Sequence, residues 1–135
     1  MLNIYTHLRI LKSKMIMGFL RFKFDATQEE LNYAKTICNE IRKQIMFPDK
    51  FVFFSWGADK FAYGVGTNGY PILRFKVNGM KFKGYVHIIY NPLDYYEVEF
   101  VSTHGNLKKR YDEVYFDELQ EKIDEYVEKI PAYSK

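Results

Sequence analysis

The stretch "ILRFKVNGMKFKGYVHIIYNPLDYYEVEFVST", residues 72–103, is rich in β-branched and aromatic residues and is punctuated by Asn78-Gly79 and by Asn91-Pro92. It reads as three antiparallel strands, 72–77, 80–90 and 96–103. An Asn-Gly pair is the strongest short hairpin signal, so a two-residue turn is expected at 78–79. That register pairs Val77 with Met80, Phe75 with Phe82 and Leu73 with Gly84 on an apolar face. The opposite face then pairs Lys76 with Lys81 and Arg74 with Lys83, an unfavourable opposition of like charges that calls for compensation. The second turn supplies acids. A five-residue loop, 91–95, sets Tyr90 against Tyr96, Ile88 against Val98 and Val86 against Phe100, with His87 opposite Glu99 and Ile89 opposite Glu97. Slipping by one residue would send Glu97 and Glu99 to the apolar face, which is costly, so an odd-length loop or a bulge is expected.

Outward from this meander, residues 27–46 read as a helix. Thr27 and Glu30 have the spacing of a capping box. Leu31, Ala34, Cys38, Ile41 and Ile45 make one apolar stripe. Glu29 and Glu30 at the start and Arg42 and Lys43 near the end suit the helix dipole, and Pro48 forbids continuation. "FVFFSW", 51–56, has no alternation and reads as a strand buried on both faces. Residues 57–71 read as a loop. "LKKRY", 107–111, fits a charged edge strand. A last helix is expected at about 117–130, capped by Asp117 with Gln120, with Leu119, Ile123, Tyr126, Val127 and Ile130 as its stripe. The expected fold is α+β: an antiparallel four- to five-stranded meander with an N-terminal and a C-terminal helix packed on one face.

The chain has 135 residues, the length of one domain, read as 25–135 after a basic arm at 1–24. The arm carries five bases and no acid. Its apolar run "MIMGFL" is too short for a signal peptide. A poorly ordered or loosely docked arm, a start of translation at Met15 or Met17, and a segment lying on a membrane surface are the open readings. "LRFKF", 20–24, alternates as a short strand would. Residues 71–92 carry four bases and no acid, whereas 93–135 carry eleven acids and six bases, so the net charge of +3 hides a polarised chain. Twelve Tyr, twelve Phe and one Trp point to an aromatic-rich core. Cys38, the single cysteine, permits no internal disulfide and lies on the apolar helix stripe, which fits an inert thiol in a reducing, cytoplasmic setting. No stretch approaches the length of a transmembrane span.

"YGVGTNGYP", 63–71, places Gly64, Gly66 and Gly69 in the order G-x-G-x-x-G. A dinucleotide loop must follow a strand and open a helix; here Tyr70-Pro71 leads into a strand, and no kinase motifs follow. The expected role of the glycines is a turn with positive φ. Trp56, Tyr63 and Tyr70 flank the loop as a possible pocket lining. His7, His87 and His104 have no metal-ligand spacing. No cofactor is implied, and no catalytic constellation stands out. The candidate site is the outer sheet face: Arg74, Lys76, Lys81, Lys83, Tyr85 and His87. A ring among cations suits single-stranded nucleic acid. The expectation is therefore a non-enzymatic binding or accessory module. The alternative is a protein-interaction module forming a homodimer or hetero-complex through exposed aromatics and an acidic C-terminal helix. A small enzyme using the 64–69 loop ranks last.

Overall fold

The computed structural model describes Leu2–Asn3 and residues 22–129. Most of the basic arm, including Leu20 and Arg21 of the expected 20–24 strand, and the chain beyond Lys129 lie outside the described residues. The elements run β1 (Leu2–Asn3), α1 (Gln28–Met46), α2 (Lys50–Ser55), β2 (Asp59–Val65), β3 (Pro71–Asn78), β4 (Lys83–Asn91), β5 (Tyr95–Val101), β6 (Leu107–Val114), a 3₁₀ turn (Phe116–Glu118) and α3 (Leu119–Val127). Strands β2 to β6 form a five-stranded antiparallel meander, and β1 adds a two-residue parallel edge opposite Ala62 and Tyr63. The expected α+β class and layer arrangement hold. Leu73, Phe75, Val77, Val86, Ile88, Val98 and Phe100 point to one face, where Ala34, Cys38, Ile41 and Ile45 of α1 and Leu119, Ile123 and Val127 of α3 cover them.

Helix α1 begins as its sequence dictates. Thr27 Oγ1 accepts from Glu30 N at 3.1 Å, and Glu30 Oε1 accepts from Thr27 N at 3.0 Å. Cys38 is fully buried, and burial pushes its thiol pKa well up.

The run "FVFFSW" is not a strand. Asp49, just after Pro48, accepts from Phe51 N at 2.9 Å and Val52 N at 3.2 Å, capping α2. The helix drives Phe53 and the adjoining Trp56 into the core and leaves Phe51 and Phe54 outside. Trp56 donates from Nε1 to Asp124 at 3.0 Å and stacks on Phe75. Nor are residues 57–71 one loop. Asp59–Val65 is strand β2, and the glycines divide between it and a tight hairpin. Gly64 pairs with Ile72 inside the sheet, while Gly66 donates to Tyr70 O and Gly69 donates to Gly66 O. Gly69 has φ +88°. Phe22 makes a single antiparallel bridge to Gly66.

The β3–β4 register also departs from the two-residue turn. Val77 pairs with Gly84, Phe75 with Val86 and Leu73 with Ile88; Lys76 faces Tyr85 and Arg74 faces His87. The shift is even, so each residue keeps its face, and the like-charge opposition disappears. Its cause is tertiary. Residues 79–82 dock on the end of α3, where Val127 O accepts from Lys81 N at 2.9 Å and Phe82 N at 3.2 Å, and the Glu128 carboxylate accepts from Met80 N at 2.7 Å. These bonds satisfy groups at a helix terminus that would otherwise lack partners. The β4–β5 register is the expected one, down to His87 opposite Glu99 and Ile89 opposite Glu97. Asp94 closes that turn at φ +70°. The capping role expected of Asp117 and Gln120 is not formed. Gln120 is buried and donates instead to Ile45 O at 2.8 Å and Asp49 O at 2.9 Å, tying α3 to the α1–α2 corner.

Candidate anion-binding site

The sheet face away from the helices carries Arg74 and Lys76 from β3, Lys83, Tyr85 and His87 from β4, and Glu97 and Glu99 from β5. Period-two alternation puts them there. They do not form one open surface. One end is closed: Arg74 is 3% exposed and His87 1%, and Glu99 is also buried. Phe22, Ala62, Ile72, Ile89 and Val101 make a second apolar cluster on this side, with Tyr70 against it. The Phe22 ring meets the His87 ring edge-on at 5.9 Å. The Arg74 guanidinium lies 4.1 Å over Tyr85. Burial lowers the Arg74 pKa, and the neighbouring Tyr85 opposes that shift.

The acids of this face answer to a residue the sequence reading placed only on a charged edge. Arg110 of β6 donates from Nη2 to Glu97 Oε1 at 2.6 Å, from Nη1 to Glu99 Oε2, and from Nε to Asp112 Oδ1 at 2.6 Å. Asn91 Nδ2 donates to Glu97 Oε2 at 3.0 Å, and His87 Nδ1 lies 3.7 Å from Glu99 Oε1. Glu97 and Glu99 are thereby directed to Arg110, away from the lysines. The signal in the sequence was parity: Arg110 pairs with Glu99 across β5–β6.

The other end of the face is open. A pocket of about 590 Å³ lies there, lined among others by Asp59, Lys60, Lys76, Asn78, Lys83 and Thr103. Local irregularity builds it. The β2–β3 register shifts between Asp59 and Ala62, and Lys60 in this bulge adopts φ +54°. A non-glycine residue in the left-handed region is held there by its surroundings and marks a functional candidate. Asp59 stands directly opposite Lys76, and Asn78 opposite Lys83. Three lysines, an aspartate, an asparagine and a threonine thus line one concavity, with no aromatic residue in its lining. Such a volume falls within the range of about 300–1,000 Å³ typical of small-molecule sites.

Of the six residues singled out on the sheet, Lys76 and Lys83 meet at this pocket, and Arg74 and His87 lie at the closed end. Tyr85 is half-buried under Arg74. Lys81 points elsewhere, donating from Nζ to Glu125 O near the end of α3. Lys83 Nζ donates to Gly79 O at 3.1 Å. Lys60, assigned from sequence to a loop, joins them through the bulge. The aromatic trio does not assemble: Trp56 and Tyr63 belong to the core beneath the helices, and Tyr70 packs on the opposite cluster. Among the described residues no group of His, Cys, Asp and Glu could hold a metal ion, and no helix is long and apolar enough to cross a membrane. No protein-family model, curated protein or solved structure matches the chain.

Proposed function

We propose that this protein is a binding module for a phosphate-bearing ligand of nucleotide size, either a free nucleotide or a short stretch of single-stranded nucleic acid. The observation that carries the reading is the convergence of Lys60, Lys76 and Lys83 on one pocket of about 590 Å³. Lysine is a strong phosphate partner as a mobile point charge. An exposed ion pair contributes about 0.2–1 kcal/mol, so three lysines alone contribute at most about 3 kcal/mol, short of millimolar binding. Tighter binding then comes from the remainder of a ligand that fills the pocket. Without an aromatic wall the site reads phosphate and shape rather than stacked bases.

The test is titration of the full chain with a labelled single-stranded oligonucleotide and, separately, with a nucleoside monophosphate, each at low and moderate salt. Neutralising three phosphates of a single strand gives a slope of log K against log salt near −2, from about −0.7 per phosphate. Lys76→Ala combined with Lys83→Ala should weaken binding by about 2- to 30-fold while leaving the thermal melt in place, because neither side chain is buried. Silence of both ligands at low salt, or a double variant that binds like the parent, overturns the reading.

A further inference from the structure

The second region with unused chemistry lies on the far side of the molecule's helices. Phe47, Phe51 and Phe54 project from the corner where α1 meets α2, and Phe116 projects from the 3₁₀ turn. They are 57%, 85%, 63% and 64% exposed, respectively. Phe51 and Phe54 are three apart on α2 and share a helix face. Lys50 Nζ sits 5.7 Å over the Phe47 ring, bringing that ring to the start of α2. The 3₁₀ turn packs on α1, and Gln120 just beyond it is bonded to Ile45 O and Asp49 O, so the segment that carries Phe116 is tied to the α1–α2 corner.

We infer that this corner is the contact between two copies of the chain. Two arguments select a second copy. The first is area. At about 200 Å² per ring, the exposed portions of the four phenylalanines amount to about 500 Å². A standard interface takes about 800 Å² from each partner, and about 65% of a homodimer contact is apolar, which is again about 500 Å². The second is charge. One margin of the patch carries Lys50 over Phe47, with Lys43 paired to Glu40 behind it; the other is acidic, with Asp117 and Glu118 beside Phe116. A two-fold rotation that reverses the patch lays each basic margin on the partner's acidic one and sets α2 against α2 with Phe51 central. An anionic lipid surface would meet the same acidic margin with repulsion.

Sedimentation of the full chain from about 1 to 200 µM tests the inference. The expected result is a concentration-dependent dimer. Phe51→Glu should raise its dissociation constant at least about tenfold, as loss of a central aromatic anchor does. The exposed Leu93 lies on the β4–β5 turn, so Leu93→Glu should change nothing. Near-neutral melts for both variants establish that they fold. A chain that stays monomeric at 200 µM overturns the inference, as does an unaltered dimer in Phe51→Glu. So does co-sedimentation with anionic vesicles that Phe51→Glu abolishes while the free chain remains a monomer.

Discussion

Gly79→Ala should destabilise the fold by about 3 kcal/mol although it adds a single methyl group. A Cβ at this position would lie 2.3 Å from Val127 O, 2.5 Å from Val127 Cγ1 and 2.9 Å from the Val127 carbonyl carbon. The first contact is about 1 Å too short, and two of the three atoms are backbone, so rotating a side chain offers no escape. Either the 79–82 loop or the end of α3 must retreat by about that distance. Retreat stretches Lys81 N and Phe82 N away from Val127 O, and Met80 N away from the Glu128 carboxylate, beyond hydrogen-bonding range. Three lost bonds at about 1 kcal/mol each give the total. The assay is urea denaturation followed by Trp56 fluorescence. With a slope of about 2 kcal/mol/M, the midpoint should fall by about 1.5 M. A midpoint within about 0.2 M of the parent would refute the claim that docking on α3 sets the β3–β4 register. Gly69→Ala is the contrast: nothing lies within 4 Å, and only the cost of φ +88° remains, so about 1 kcal/mol should be lost.

Arg110→Met deprives Glu97 and Glu99 of a shared partner and should cost about 2 kcal/mol, below the range for wholly buried pairs because Arg110 is partly solvated. Adding Glu97→Gln and Glu99→Gln should recover part of that loss in the same denaturation assay, and failure to recover any would show that the ion pairs are incidental. Burial holds the Tyr96 phenol up to about 12, and its hydroxyl donates to Gln44 Oε1 at 2.6 Å. The unfolded chain gives up this proton near pH 10, so the folded state binds more protons between about 10 and 12 and stability falls there as pH rises. Tyr96→Phe should flatten that fall between about pH 10 and pH 12, although it lowers neutral stability by about 1 kcal/mol.

Much of the sheet was legible because period-two alternation encodes it locally. Val86, Ile88, Val98 and Phe100 could share a face only if the β4–β5 loop had odd length, and a one-residue slip would have turned Glu97 and Glu99 onto the apolar face. The β3–β4 register was not legible from Asn78-Gly79 because its determinant lies on α3, about 50 residues away in sequence. "FVFFSW" misled by composition: its β-favouring residues outweighed a single capping aspartate, and tertiary packing overrode propensity. β2 was obscured by Gly64, by the glycines that flank it and by the bulge at Lys60. The same bulge hid the pocket, since Lys60 joins Lys76 and Lys83 only once the strand exists. The burial of Arg74 and His87 depends on a second apolar cluster containing Phe22, remote in sequence from both, and no strand pattern reports that.

The meander also bears on how the chain folds. Each of β2 to β6 pairs with its sequence neighbour, so strand pairing proceeds by closing short loops. Long closures are made at the sheet edge, where β1 pairs with β2 and Phe22 bridges Gly66, and at the helices, where Trp56 to Asp124 spans 68 residues and Gln120 to Ile45 spans 75. The entropy of the helix closures is recovered only when α3 settles against α1 and α2. Because α3 also pins the 79–82 hairpin, its arrival completes the sheet register and the core together. Substitutions at Gln120 should therefore slow folding if α3 docks within the transition state, and hasten unfolding if it docks afterwards.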